Sequence, residues 1–237
     1  MDSIGYTTLT RQSGLMREME IVAHNIANIS TTGFRREGMI FSEYVNRLDG
    51  EPLLSMASGN TRLVDLTQAG LSMSGGTYDL AIQGTGFFLI QTPDGERLTR
   101  AGAFTPAADG SLVTPDGFPV LDTGGTAVVV PPGARSVSIA QDGTVSADGV
   151  AAARIGLWQP TDPLNLIHVA GTMFSADAGV EPAEGGTILQ GMLEDSNVEP
   201  VTEIARMIAV QRAYEMGQSL LDREDARVRA VIQTLGQ

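Results

Sequence analysis

The chain has 237 residues, a formal net charge of −13 and no Cys. This acidity argues against nucleic acid or an anionic membrane surface as the main partner, because both carry negative charge themselves. The absence of Cys excludes thiol catalysis, disulfide bonds and thiolate metal sites. Hydrophobic residues make up 42% of the chain, enough to form a packed core in one large or two small domains.

The N-terminus carries no pattern typical of a secretory leader. Asp2 is acidic, no basic residue precedes Arg11, and no apolar run there is long enough for a signal-peptide core. We therefore expect any location outside the cytoplasm to be reached without a cleaved signal peptide. No run of about 18 apolar residues occurs, so we expect no membrane insertion.

The first segment, residues 1–33, is predicted to be an amphipathic helix followed by a turn. Its apolar stripe is spaced by four, three and four residues and comprises Leu15, Met19, Val22 and Ile26. The stretch from Asn28 to Gly33 is rich in residues that favour caps and turns, so it ends the helix.

The middle of the chain changes character twice. Residues 34–75 show no clear period and are predicted to be an extended or irregular linker arm. Residues 76–195 contain short apolar runs separated by turn residues, and Asp-Gly occurs five times, each pair typical of a hairpin turn. We expect an antiparallel, β-rich domain with a barrel-like or sandwich-like arrangement.

The last segment, residues 196–237, has the strongest pattern in the chain. Apolar residues recur every seven positions and comprise Met207, Tyr214, Leu221, Val228 and Leu235. Pro200 suits the first turn of a helix and Gly236 suits its end, which gives a length of about 50–55 Å. A terminal helix of this length needs a partner for its stripe.

These patterns together predict an α+β fold. The two terminal amphipathic helices pair as a coiled-coil-like hairpin, and the β-rich domain is inserted between them. Such a two-helix hairpin is only marginally stable alone, because ordering so many terminal residues opposes the burial of one apolar seam. We therefore expect it to become stable by packing against other copies.

The sequence contains no complete motif for catalysis or cofactor binding. The sequence Gly84-Thr85-Gly86 lacks the third Gly of a dinucleotide loop and precedes a predicted strand. The two histidines, His24 and His168, lie in different segments, and Glu194-Asp195 adjoins a helix whose polar face is expected to be solvated. We therefore expect no catalytic residue, no cofactor and no metal, and we expect that the protein is not an enzyme.

Four separated stretches resemble the axial proteins of the bacterial flagellum, the family of rod and hook subunits. The first carries Asn25, Asn28, Thr32, Gly33 and Phe34, and the second carries Gly84, Gly86 and Phe87. The third runs from Leu98 to Phe104, and the fourth includes Gln211 and Arg212 after Asn197. The short length and the first residues are more similar to the shorter rod subunits of this family than to its distal rod and hook subunits, which are usually longer.

This resemblance implies a structural subunit of the basal-body rod that crosses the periplasm between motor and hook. Its partners would be other copies of itself, homologous proximal and distal rod proteins, and the flagellar type III export apparatus. The resemblance also implies that Asn25, Asn28, Thr32 and Gly33 fix the end of the first helix. The two apolar stripes would form the contacts between subunits.

Three alternatives remain open at this point. The first is a distal rod or hook subunit of the same family. The second is a cell-wall-acting periplasmic enzyme with flagellar-like ends, although residues 130–190 show no recognisable spacing of carboxylates or histidines. The third is a soluble β-domain binding module that dimerises through a coiled-coil hairpin.

Overall fold

The computed structural model describes residues 2–46 and 54–235, with the side chains of residues 8–39, 62–231 and 233. Helix α1 spans Asp2–Ala27, helix α2 spans Pro200–Leu235, and the strands lie between them. The α+β fold class is therefore confirmed. Among the described residues, neither helix is long and apolar enough to cross a membrane.

The chain divides into two compact units. A helical unit comprises Met1–Ala27, Glu37–Leu63 and Glu199–Gln237, and a β-rich unit comprises Asn28–Arg36 and Val64–Val198. The N-terminal and C-terminal helices thus fold into one unit although almost the whole chain separates them.

In the helical unit, α1 and α2 run antiparallel and are joined by polar contacts at three levels. Gln12 Nε2 donates to the Tyr214 carbonyl (3.0 Å), Arg206 Nη2 lies 2.9 Å from Glu18 Oε1, and Asn25 Nδ2 lies 3.3 Å from Glu203 Oε2.

The segment predicted to be a linker arm contains three strands. Strand β1 spans Glu37–Asn46, β2 spans Leu54–Val64 and β3 spans Leu71–Met73. β1 and β2 pair in a two-stranded sheet.

The remaining strands belong to the β-rich unit, together with a short 3-10 helix at Pro163–Asn165. They are β4 Leu80–Gln83, β5 Phe87–Thr92, β6 Gly95–Thr99, β7 Thr105–Pro106, β8 Leu112–Val113, β9 Val137–Ile139, β10 Thr144–Ala147, β11 Val150–Arg154, β12 Leu157–Pro160, β13 Leu166–Ala170, β14 Met173–Ala176, β15 Val180–Pro182, β16 Thr187–Gln190 and β17 Met192–Glu194.

The largest sheet in the described residues has six strands in the order β13-β14-β6-β5-β12-β15. A three-stranded sheet has the order β11-β10-β9, and the pairs β16-β4, β17-β3 and β7-β8 complete the unit. All described pairings of these strands are antiparallel, as the frequent turn signals predicted.

The turn between β10 and β11 shows how an Asp-Gly pair directs the chain. Asp148 and Gly149 are its two central residues, with φ of 50° and 83°. A type I′ turn requires positive φ at both positions, and Asn, Asp and Gly tolerate it best. The hairpin predicted from this dipeptide is confirmed.

Two buried apolar clusters form the core of the β-rich unit. The larger one is built around Leu80, Phe88, Val120 and Ile188, and the smaller one around Leu98 and Phe174. Trp158, the single tryptophan of the chain, packs against the smaller cluster.

Candidate functional site

The predicted stripe of α1 lies largely inside the helical unit. Val22 is fully buried, and Leu15, Met19 and Ile26 are half-buried. Because the Val22 side chain has no exposed area, it is not accessible to another subunit.

The predicted stripe of α2 is graded along its length. Met207, Tyr214 and Leu221 are half-buried, whereas Val228 is 42% exposed. The side chain of Leu235 lies outside the described residues. The end of α2 nearest Pro200 is thus the more enclosed part of the stripe.

A second apolar surface lies on α2 beside the predicted stripe. Its members are the large hydrophobic side chains from Val201 to Leu220 that remain at least 45% exposed, namely Val201, Ile204, Ile208, Met216 and Leu220. Leu9 and Met16, seven residues apart on α1, are also more than half exposed. Most of these residues do not belong to the seven-residue series that begins at Met207, so that series does not identify them. They are apolar residues of the helical unit that remain accessible.

Asn25 links three elements of the helical unit. Its Oδ1 accepts from the Glu37 backbone N–H (2.9 Å), and its Nδ2 donates to the Glu37 carbonyl (2.8 Å) and contacts Glu203 Oε2 (3.3 Å). Asn25, Glu37 and Glu203 are all fully buried. A side-chain amide carries a carbonyl acceptor and two N–H donors, so Asn25 can pair with the Glu37 backbone and still contact Glu203, which fixes the start of β1 against α1 and α2.

The buried carboxylate of Glu37 is held by basic side chains. His24 Nδ1 lies 3.3 Å from Glu37 Oε2, and Arg62 Nη1 lies 3.7 Å from the same oxygen. The resemblance implied that Asn25 fixes the end of α1, and its described contacts are with β1 and α2.

Gly33 occupies a position that no other residue fits. Its φ is 71°, and a Cβ there would lie 2.3 Å from the Ala101 backbone nitrogen. Its N–H donates to the Glu194 carbonyl over 2.7 Å. The turn before it is closed by Asn28, whose carbonyl and side-chain oxygens accept from Thr31. Thr32 is half-buried and lines a cavity of about 270 Å³.

Phe34 and Asn197 join the two ends of the β-rich unit. The Phe34 ring is fully buried and meets His168 edge to face at 5.7 Å. The Asn197 N–H donates to the Phe34 carbonyl (3.3 Å), and Asn197 Oδ1 accepts from the Arg36 N–H (2.6 Å). Asn197 therefore pairs with the backbone of residues 34–36 much as Asn25 pairs with Glu37.

Three buried charged side chains meet within the β-rich unit. Glu194 Oε1 lies 2.8 Å from Arg35 Nη2, and Glu194 Oε2 accepts from Arg100 Nη1 over 2.9 Å. Glu194 Oε1 also accepts from the Ala69 backbone N–H at 3.0 Å. Glu194 is 0% exposed and Arg35 is 1% exposed. We refer to Arg35, Glu194 and Arg100 as the buried triad.

The triad holds two guanidinium groups against one carboxylate. The pKa of Arg35 is lowered to about 10, chiefly by burial; Glu194 opposes this shift and the neighbouring Arg100 adds to it. Burial likewise lowers the pKa of Arg100 despite its bond to Glu194. Both pKa values reflect the cost of keeping a cation away from water.

The Gly84–Phe87 stretch contacts Arg100. The Gly84 carbonyl accepts from Arg100 Nη2 (2.7 Å), and the Phe87 ring centroid lies 5.3 Å from the Arg100 guanidinium carbon. Gly86 has a φ of 108°, and a Cβ there would lie 2.9 Å from Ala183 Cβ. The Gly-x-Gly sequence therefore serves a close backbone approach beside a buried cation.

Gln211 and Arg212 lie on the exposed side of α2. Gln211 Nε2 donates to Glu215 Oε1 over 3.1 Å, one turn further along the helix. Arg212 is exposed. Gly84 is also exposed, whereas the other motif residues named above are buried or half-buried in the described part of the chain.

One sequence-based interpretation was wrong. Glu194 was expected on a solvated face beside a helix, but it is fully buried between Arg35 and Arg100. No role could be predicted for Arg35 or Arg100, because nothing in one sequence shows that residues 35, 100 and 194 meet. The contacts of Asn25 and the buried triad hold the backbone and the charged groups in place, which is a structural role.

The comparisons with known proteins cover most of the chain. Three family models match: "Flagella basal body rod protein" at residues 6–35, "Flagellar hook protein FlgE/F/G D1 domain" at 81–147, and "Flagellar basal body rod FlgEFG protein C-terminal" at 189–234. The first and third match the terminal helices, and the second matches part of the β-rich unit.

Several curated proteins are similar over nearly their full length. The chain is 38% identical to the flagellar basal-body rod protein FlgF of Caulobacter vibrioides, covering 100% of this chain and 99% of that protein. It is 33% identical to FlgF of Mesorhizobium japonicum, covering 98% and 97%. It is 30% identical to the flagellar basal-body rod protein FlgG of Bacillus subtilis, covering 93% and 94%. The chain therefore belongs to the FlgF family of flagellar basal-body rod proteins.

Proposed function

We propose that this chain, a structural subunit of the flagellar basal-body rod rather than an enzyme, is built into the rod through its two terminal helices. The observation that carries this proposal is the accessible apolar surface of the helical unit. Val201 is 74% exposed and Met216 is 67% exposed, although both are large hydrophobic residues on a regular helix.

Burial of these side chains would favour assembly. Each large apolar side chain contributes about 1.5–3 kcal/mol when it moves from water into a packed interface. A surface helix of a monomeric protein usually turns its apolar residues towards its own core. An apolar surface on the opposite side is typical of a helix that meets another chain.

The contact surface is proposed to differ from the predicted stripes. The stripe residues Leu15, Met19, Val22 and Ile26 face the interior of the helical unit to differing degrees. We therefore assign contacts between subunits mainly to the exposed residues of α2 and to Leu9 and Met16 of α1. Val228, which is exposed, remains a candidate from the predicted stripe.

We also propose two finer features of the fold. The helices would pair as a coiled-coil-like hairpin, which is supported by two seven-residue series of less exposed positions on α2: Glu203, Val210 and Gly217, and Met207, Tyr214 and Leu221. The β-rich unit would close as a barrel or sandwich around its two apolar clusters. In the assembled rod, residues 1–33 and 196–237 would act as the axial domain, with 34–75 as the arm that leads to residues 76–195.

The proposed location is the part of the rod that crosses the periplasm, between motor and hook. Homologous rod proteins would be neighbours there, because relatives named FlgF and FlgG share this family. We propose that the chain reaches this place through the flagellar type III export apparatus, which suits a sequence without Cys. Disabling that apparatus should then keep the chain inside the cell, as fractionation would show.

A double substitution tests the role of α2. Replacing Ile204 and Ile208 with Asp places two charges in the proposed interface, so cells that carry only this variant should lose motility and complete rods. The matched control is Gln218→Asp, an exposed polar position on the same helix, which should leave motility intact.

The fold of the variant can be checked independently. Trp158 is the only tryptophan and lies in the β-rich unit, so its fluorescence reports whether that unit remains folded. Normal swimming by cells with a folded Ile204→Asp, Ile208→Asp chain would contradict the proposal.

A further inference from the structure

A groove of about 690 Å³ runs between α1 and α2 in the helical unit. Its apolar lining includes Leu15 from α1 and Met216 and Leu220 from α2. Met216 and Leu220 are also among the exposed hydrophobic residues, so the groove presents apolar side chains to the outside.

Gly217 and Gln12 shape this groove. A Cβ on Gly217 would lie 2.3 Å from Gln12 Nε2, so a larger residue there would displace the buried end of the Gln12 side chain. Gln12 donates from this position to the Tyr214 carbonyl, which holds the two helices at a fixed level. A polar residue in a mainly apolar helix contact is a known means of fixing register.

The groove carries an excess of positive charge. Arg11 and Arg223 line it, and neither has a hydrogen bond or ion pair among the residues that the structure describes. The one acidic residue in its lining, Glu215, is already bound by Gln211 Nε2. A ligand for this groove should therefore combine an apolar face with negative charge.

The first turns of α2 have that combination. Val201 and Ile204 are exposed and apolar, and the carboxylate of Glu199, just before the helix, is exposed without an ion pair in the described part of the chain. We call Glu199, Val201 and Ile204 the leading surface. It lies on the same helix as the groove but about 24 Å away, because Leu220 follows Ile204 by 16 positions.

We propose that the groove of one subunit receives the leading surface of a second copy of this chain. This inference rests on the proposed rod function and adds the identity of the two contacting surfaces. The surfaces differ from each other and lie apart on one helix, so each copy can offer its groove to one neighbour and its leading surface to another. Such head-to-tail contacts produce open helical assemblies rather than closed dimers.

Helical symmetry fits this arrangement. Copies related by a rotation and a rise along one axis keep their α2 helices pointing in the same direction. A shift of about 24 Å along α2 then places Ile204 of one copy beside Leu220 of the next. The basic groove and the acidic leading surface favour this pairing over groove against groove, which would bring like charges together.

Cysteine cross-linking tests the pairing, because the natural chain contains no Cys. The variant Leu220→Cys, Ile204→Cys is expressed in place of the native chain, basal bodies are isolated, and mild oxidation is followed by non-reducing electrophoresis. A bond within one chain is excluded, since the two sites lie about 24 Å apart and a disulfide needs Cα atoms within about 7 Å. We expect a ladder of dimers and higher multimers.

Three comparisons define the contact. Each single variant should remain monomeric, and co-expression of Leu220→Cys with Ile204→Cys should give dimers and nothing larger. The matched control, Asp222→Cys with Ile204→Cys, places the thiol outside the groove lining and should lose the ladder. If the first pair prevents rod formation, Met216→Cys with Val201→Cys probes the same contact.

Several results would overturn the inference. Dimers of Leu220→Cys alone would show that groove meets groove. Intact rods without any cross-link from either pair would place the neighbour elsewhere, and a cross-linked product containing a different protein by mass would exclude a second copy. None of these results touches the rod function itself, which fails separately if cells lacking the chain build complete rods and swim.

Discussion

The substitution Glu194→Gln tests whether the buried triad stabilises the β-rich unit. It keeps the size of the side chain and one carbonyl oxygen but removes the negative charge between Arg35 and Arg100. The new amide group would point an N–H at one of two guanidinium groups that have no access to water. One buried cation would then lose the one carboxylate that pairs with it among the described residues.

The expected loss follows from the geometry. Removing one partner of a buried ion pair costs about 3–5 kcal/mol, because the remaining charge stays desolvated. Both guanidinium groups keep backbone acceptors, namely the Thr67 carbonyl for Arg35 and the Ile82 and Gly84 carbonyls for Arg100. We therefore expect about 4 kcal/mol in total rather than that amount for each pair. This is a large part of the roughly 5–15 kcal/mol by which a domain is stable.

Urea unfolding followed by Trp158 fluorescence measures this loss in the β-rich unit. With a slope of about 2 kcal/mol per molar urea, the midpoint should fall by about 2 M. The matched control is Asp195→Asn, the adjacent carboxylate, which is exposed and accepts only from Ser72 in the described residues. It should change the free energy of unfolding by less than about 1 kcal/mol.

The reasoning fails if Glu194→Gln shifts the midpoint no more than Asp195→Asn does. It would be supported further if Arg35→Met, Glu194→Leu and Arg100→Met together cost less than Glu194→Gln alone. Replacing a whole buried ion cluster with apolar side chains removes every desolvated charge, whereas Glu194→Gln leaves two cations behind.

Three other predictions concern the neighbouring contacts. Gly33→Ala should lower the free energy of unfolding by about 2–5 kcal/mol in the same urea assay, because positive φ and a clash with Ala101 act together. Gly117→Ala, also at positive φ but with open space around it, should cost only about 1–2 kcal/mol, and equal losses would refute the close approach. Asn25→Leu should destabilise the helical unit by about 2–4 kcal/mol, seen as earlier thermal loss of helical circular dichroism, because it leaves the Glu37 backbone groups buried without partners. Asp65→Asn should lower the free energy of unfolding near neutral pH but not in acid. Burial raises the pKa of Asp65, but hydrogen bonds from Thr67 and Arg36 outweigh this effect, so the pKa is lowered overall. The ionised Asp65 therefore stabilises the folded state, and this stabilisation is lost as the pH falls through the lowered pKa. A stability difference that stays constant from neutral pH to below about pH 4 would contradict this assignment.

The helices and many strands could be predicted because their signals are local. The seven-residue series predicted α2, and the apolar runs at 80–83, 137–139 and 166–170 coincide with β4, β9 and β13. Asp-Gly pairs predicted turns because the required positive φ is a property of the residue itself. The strands of residues 34–75 carry no comparable period, so an extended or irregular arm was the only prediction available.

The buried polar clusters could not be predicted for a different reason. Asn25 meets Glu203, and Arg35 meets Glu194, across more than 150 residues of sequence. A lone Asn or Glu in one sequence has the same appearance whether it is solvated or buried. Asn197 shows the difficulty, since its pairing with the backbone of residues 34–36 follows only from the fold. The motifs pointed to these residues without indicating what they contact.

This separation of signals bears on how the molecule works. Most of the motif residues that suggested the family lie inside the two units, where they hold backbone and charge in place. The residues proposed to meet neighbouring subunits are exposed, and none of them is among the motif residues named above. Substitutions in the first group should therefore lower the free energy of unfolding and affect assembly only through folding. Substitutions such as Ile204→Asp should leave unfolding unchanged and still abolish the rod. Cells with Glu194→Gln, grown cool enough for the chain to fold, should build normal rods. Cells with folded Ile204→Asp, Ile208→Asp chains should not. These two results together would show that folding and assembly depend on different sets of residues.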